Sequence, residues 1–231
     1  MVQIMMGGGP PADKRHLLLP AGLAYAVIIV AGIWSEGFVR AALIEPGDAA
    51  ATAAAIAANE TLFRASVAAD MVMALCDVAL AVLLYMILKS HGALLALLAM
   101  VLRLVQASII GANLVNQQAA LLALGGAGGS EAVALLHLQM QSHGYDLGLV
   151  FFGAANIAIA VLILRSGWVP RPLGWLVAAA GLVYLAGSFL RILAPHLSGT
   201  FVYAYAVPVV AETSFALWLL AAGFRPRLAA H

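Results

Sequence analysis

The chain has 231 residues, of which 65% are hydrophobic and only 9% charged, and its mean hydropathy is +1.04. Soluble globular proteins are about a quarter charged, so too few polar side chains are present to cover a water-facing surface, and the composition is that of a membrane protein. With 11 Lys+Arg against 10 Asp+Glu and a single cysteine, Cys76, it is neither a nucleic-acid binder resting on a basic patch nor a disulfide-stapled secreted module.

A spanning helix needs about 20 largely apolar residues, because hydrocarbon offers no partner for an open backbone N–H or C=O. The polar head, residues 1–16 with GGGPPADKRH, is too polar to span. Six spans are predicted within a single membrane domain, residues 17–223: Leu17 to Val39, Leu62 to Leu88, Ala93 to Asn116, Tyr145 to Leu164, Leu173 to Leu193 and Phe201 to Ala222. The first is read as a retained anchor, since no small-x-small cleavage site follows it. Residues 224–231 form a short basic tail.

Two long connections separate these spans. The alanine-rich stretch from Asp48 to Glu60 opens with an N-cap-like Gly-Asp and predicts a surface helix; Ser130 followed by Glu131 predicts another, reaching about Met140. The expected fold is therefore an all-α bundle of six transmembrane helices, with short amphipathic helices in the two long outer loops.

Short cytoplasmic loops retain Lys and Arg. Lys14, Arg15, Lys89, Arg165, Arg171, Arg225 and Arg227 fall on one side, whereas Arg40, Arg64 and Arg191 fall toward the other and Arg103 lies within the third span. Both termini are thus expected in the cytoplasm, with the long loops outside. Tyr25, Trp34, Trp168, Trp175 and Tyr203 are read as interface anchors near span ends.

Ionisable groups inside spans are costly, at roughly 2.5–3.5 kcal/mol each on insertion scales, and mark functional positions. Asp77 is 11 residues from Leu88, Arg103 is 10 from Ala93 and Glu212 is 10 from Ala222. At 1.5 Å per residue all three lie about 15 Å from the cytoplasmic end, near the midplane. Asp70 and Asp77 share a face of the second span, and Arg103, Gln106, Asn113 and Gln117 form one stripe on the third. In the sixth, Tyr205, Pro208 and Glu212 align, Pro208 freeing the carbonyl of Ala204. The expected interior is a polar pocket that opens outward, carrying Asp70, Asp77, Asp146 and Glu212 against Arg103, with a net charge of minus three if all are ionised.

Structural roles for the same residues are weighed alongside. An Asp77–Arg103 pair fixes helix register without other function. Gln106 and Asn113 suit interhelical hydrogen bonding, and Ala107 with Gly111, or Gly181 with Gly187, suit close packing. His143 and Asp146 in SHGYD cap the fourth span or, with a third ligand, hold zinc.

The strings GDAAATAAAIAANETLFR, DMVMALCDVALAVLLY, RLVQASIIGANLVN, HGYDLGLVFFG, RSGWVPRPLGWL, AGLVYLAGSF and ETSFALWLLAAG resemble the bacterial multi-pass membrane family known as domain of unknown function 4386, from about Leu17 to Gly223. The resemblance implies a bacterial inner-membrane protein and brings no activity with it. It places the family's recurring polar positions at Asp70, Asp77, Arg103, Gln106, Asn113, Asn116, His143, Tyr145, Asp146 and Glu212; Asn156 departs from the His or aromatic often found there.

Three functions fit these residues. One is binding or transport of a small or amphipathic ligand, with Arg103 holding an anionic group and Asp77 or Glu212 exchanging a proton. Another is an intramembrane metal-dependent hydrolase of lipid-like substrates, with His143 and Asp146 as zinc ligands. The last is a non-catalytic membrane subunit or sensor. No other cofactor is expected, membrane lipids are the immediate partners, and small-residue helix faces are compatible with a homo-oligomer.

Overall fold

The computed structural model describes residues 12–126 and 130–224. Among these, six helices are long and apolar enough to cross a membrane, and no strand occurs. They are α1 (Arg15–Leu43), α3 (Glu60–Leu88), α4 (Ala93–Leu124), α5 (Glu131–Ser166), α6 (Arg171–Leu193) and α7 (Pro195–Phe224), with the short α2 (Ala49–Ala58) between the first two. Most of the tail, with Arg225 and Arg227, and most of the head lie outside the described residues. The part of the head that is described is already helical: a 3-10 turn, Ala12–Lys14, leads into α1.

Each spanning helix packs on its neighbours in sequence, and α7 returns to α1, so the six close into a ring. One end of the ring holds Lys14, whose Nζ donates to Ser90 Oγ at 2.6 Å and to Ile87 O at 3.2 Å; we refer to it as the terminal end. Here Leu18, Leu80, Leu84, Leu162 and Leu219 form the larger apolar core. Trp168, expected at a membrane interface, is instead buried against Trp218, with ring centroids 5.4 Å apart. Tyr25, also expected as an anchor, is 1% exposed in this core and meets Phe215 edge-on, whereas Trp175 and Tyr203 are exposed.

The opposite, distal end has its own small core, in which Val39, Ile56, Phe63, Leu121 and Leu138 join α1, α2, α3, α4 and α5. The Asp48 carboxylate caps α2 by accepting from Ala51 N at 2.9 Å. Ser130 caps likewise, its hydroxyl accepting from Val133 N, but the helix it starts does not stop near Met140. It continues through Ser166 as one helix of 36 residues, so the separate second loop helix and a fourth span beginning at Tyr145 are both corrected. The interval has no proline to break the ladder. Gly144 does not break it either; it lets α4 approach, since a Cβ there would run into the Asn113 amide. At 1.5 Å per residue α5 is about 54 Å long, well beyond a hydrocarbon core about 30 Å thick. It ends where Gly167 takes the left-handed conformation, φ 73°.

Two helices depart from α geometry. Ile33–Arg40 of α1 is π-helical. Five residues of α-helix would set Arg40 about 140° from Ser35; the wider π turn rotates less per residue, and both side chains are buried. In α7, Val202–Tyr205 tightens to a 3-10 turn just before Pro208, where the missing proline N–H interrupts the ladder.

Candidate functional site

Both aspartates of α3 are buried, each 2% exposed, and each is met by an arginine from a different neighbour. Asp70 faces α1: Arg40 Nη1 lies 2.6 Å from its Oδ2, Arg40 Nη2 is 3.5 Å from Oδ1, and Gln117 Nε2 of α4 donates to the same carboxylate at 3.4 Å. Arg40 is anchored on its other edge by Glu36, Nε to Oε2 at 2.7 Å. Asp77 faces α4 and forms an ion pair with Arg103, as the depth count in the sequence anticipates. The Arg103 guanidinium is stacked between two rings, 4.7 Å from Phe152 and 5.7 Å from Tyr25, an arrangement that supports a cation out of water.

A third pair joins α5 to α6. Arg191 Nη1 is 2.5 Å from Asp146 Oδ2, and Arg191 Nη2 donates to Ser142 Oγ at 2.8 Å. The expected charge of minus three is therefore largely cancelled, since Arg40 and Arg191 join Arg103. Neither was legible as a site residue: both sit near span ends, where a cation reads as a loop charge, and only the partner helix reveals the pairing.

Glu212 differs from these aspartates. It is 7% exposed and its Oε1 has no hydrogen-bond partner among the described residues. Tyr25, Asp77, Arg103, Tyr145 and Tyr184, from the five other spanning helices, are the titratable groups that act on it. Asn156 and the Tyr184 hydroxyl both come against the Glu212 carboxylate within hydrogen-bonding approach, while the buried Asn156 amide, Arg103 Nε and Nη1 and Gln106 Oε1 have no well-formed hydrogen bond among the described residues. A buried polar atom without a partner costs about 1–3 kcal/mol. Among the described residues the ring axis thus keeps spare donors on Arg103 and a spare acceptor on Gln106, around a Glu212 met by Tyr184 and Asn156. A cavity of about 10 Å³ adjoins Arg103 on the terminal side, lined otherwise by aliphatic residues, Tyr85 and Met100; it has room for about one water.

The large opening lies at the distal end. A cleft of about 570 Å³ separates the π segment of α1 from α5, with Glu36, Arg40, Ile44, Leu138, His143 and Arg191 among its lining. Asp77 and Glu212 do not line it, so the single pocket expected from the sequence divides into a distal cleft and a closed polar axis. Asp70 is sealed behind Arg40. Asn113 is structural: its Nδ2 donates to Gln141 O at 2.6 Å, and its Oδ1 accepts from Asn116 at 2.9 Å.

His143 and Asp146 sit in the middle of α5, so neither caps it. His143 is exposed, Asp146 is engaged by Arg191, and His137 bonds Asn116 through Nδ1 at 3.1 Å. Among the described residues no three of His, Cys, Asp and Glu come together to hold a metal ion. Among the described residues His143 and Asp146 are without a third ligand of this kind.

A closed ring of six apolar helices with arginine–aspartate pairs between them defines a multi-pass membrane protein. The chain belongs to the family described as Domain of unknown function (DUF4386), which matches residues 20–223. No curated protein and no solved structure matches it.

Proposed function

We propose that this protein binds and carries a small or amphipathic ligand that enters through the distal cleft, and that Glu212 exchanges the proton coupled to it. The observation that supports this is the contrast among the buried carboxylates: Asp70, Asp77 and Asp146 each hold an arginine, whereas Glu212 is in no ion pair among the described residues and is met by the neutral side chains of Tyr184 and Asn156. An intramembrane carboxylate without its own cation is costly as a fixed structural element and suited to taking up and releasing a proton. Lys14, Lys89, Arg165 and Arg171 at the terminal end support a cytoplasmic assignment of that end under the positive-inside rule, and on this reading the cleft opens outside a bacterial inner membrane.

The test is the pH dependence of binding of a single-chain lysophospholipid probe to the purified protein in maltoside micelles, between about pH 5 and pH 9, across the range set by histidine and displaced carboxylates. Glu212→Gln removes the pH dependence and keeps the fold. His143→Gln removes the exposed histidine that lines the cleft and leaves the pH dependence in place. An unchanged pH profile in Glu212→Gln overturns the reading.

A further inference from the structure

The distal cleft presents opposite charges from facing walls. On the α1 side, Glu36 gives one carboxylate oxygen, Oε2, to Arg40. Its side chain is 53% exposed, and Oε1 has no partner among the described residues. On the other side, Arg191 uses Nη1 and Nη2 on Asp146 and Ser142. Its side chain remains 32% exposed, with Nε unengaged among the described residues. Arg40 itself is 3% exposed and held on both edges, so it forms the back of the cleft and orients Glu36 without offering a free charge. The accessible apolar lining is Ala41, Ile44 and Pro46, and the whole space is about 570 Å³, in the range of sites for drug-sized ligands.

Neither a simple anion nor a simple cation is served by this lining. An anion drawn to Arg191 meets Glu36 across the cleft, and a cation drawn to Glu36 meets Arg191. A head that carries both charges satisfies both walls at once, and an attached chain covers the apolar floor. We infer that the cleft binds a zwitterionic head, an ammonium against Glu36 and a phosphate or carboxylate against Arg191, on an amphiphile whose chain lies along Ala41, Ile44 and Pro46. This rests on the ligand-binding reading above and names the ligand's chemical class.

The test uses native mass spectrometry of the full chain in maltoside micelles with four probes: lysophosphatidylethanolamine, an alkyl phosphate and an alkylammonium of equal chain length, and glycerophosphoethanolamine without a chain. The zwitterionic amphiphile is expected to bind about fivefold more tightly than either singly charged one, the factor that corresponds to one exposed charge pair of about 1 kcal/mol. Glu36→Gln brings it down to the level of the alkyl phosphate. Arg191→Gln brings it to that of the alkylammonium, and the double variant Arg191→Gln/Asp146→Asn repeats that result without leaving Asp146 unpaired. Equal binding of glycerophosphoethanolamine overturns the attached chain and points to a water-borne zwitterion, and its failure to bind supports a lipid source. Equal binding of the three amphiphiles, or a preference that survives Glu36→Gln, overturns the inference while leaving ligand binding intact. A preference that is present while Glu212→Gln keeps the wild-type pH profile supports the inference and overturns proton coupling alone.

Discussion

Arg40 and Asp70 join α1 to α3 through a buried pair, Nη1 to Oδ2 at 2.6 Å, with both side chains nearly sealed from solvent. The pair exists because the π segment turns Arg40 inward beside Ser35, and Glu36 and Gln117 take up part of the remaining hydrogen-bonding capacity. Removing one member leaves the other buried and uncompensated. Arg40→Ala is expected to destabilise the bundle by about 3–5 kcal/mol, whereas Arg40→Met/Asp70→Leu recovers most of that loss. Thermal unfolding in maltoside, comparing the single and double variants, checks it; equal losses in both would show that the charges themselves do not matter.

The Arg103 site separates charge from shape. Arg103→Lys keeps a cation near Asp77 but loses the planar group between Phe152 and Tyr25. A loss of about 1–2 kcal/mol is expected, in the range of a desolvated cation–π contact. Phe152→Leu removes the closer ring, so the double variant Arg103→Lys/Phe152→Leu should cost less than the sum of its parts. Full additivity in a double-mutant cycle would deny the stack a role.

Glu212 and Asp77 should respond very unequally to neutralisation. Asp77→Asn strands Arg103 in the core and is expected to cost about 3 kcal/mol or more. Glu212→Gln removes no arginine partner and should shift stability by less than about 1 kcal/mol. Melting temperatures of the two variants side by side decide it, and a large loss in Glu212→Gln would make this carboxylate structural.

The glycines of α5 and α6 set how closely those helices cross. A Cβ on Gly181 would lie 2.7 Å from Gly153 O, and one on Gly153 would lie 2.8 Å from Gly181 O. Gly181→Ala and Gly153→Ala should each cost about 1–3 kcal/mol, as overpacking against backbone does. Gly111, read from the sequence as another packing position, has open space where a methyl would stand, with nothing within 4 Å, so Gly111→Ala is expected to be neutral or slightly stabilising in the middle of α4. The same unfolding assay ranks the three.

The sequence by itself determined the membrane class, the six apolar spans and the common depth of Asp77, Arg103 and Glu212, because hydropathy and helical rise act within one helix and need no knowledge of its neighbours. Local capping was legible for the same reason at Asp48 and Ser130, although where the helix from Ser130 ended was not. The helix runs on through Gly144, where α4 packs against it, and stops only where Gly167 turns left-handed. Which arginine serves which aspartate was decided by the tertiary ring alone. Arg40 and Arg191 read as loop cations until a π turn and a facing helix put them against Asp70 and Asp146. The division of one expected pocket into a distal cleft and a closed axis has the same origin, since ion pairing between helices neutralises and seals groups that, taken helix by helix, had every appearance of lining a shared opening.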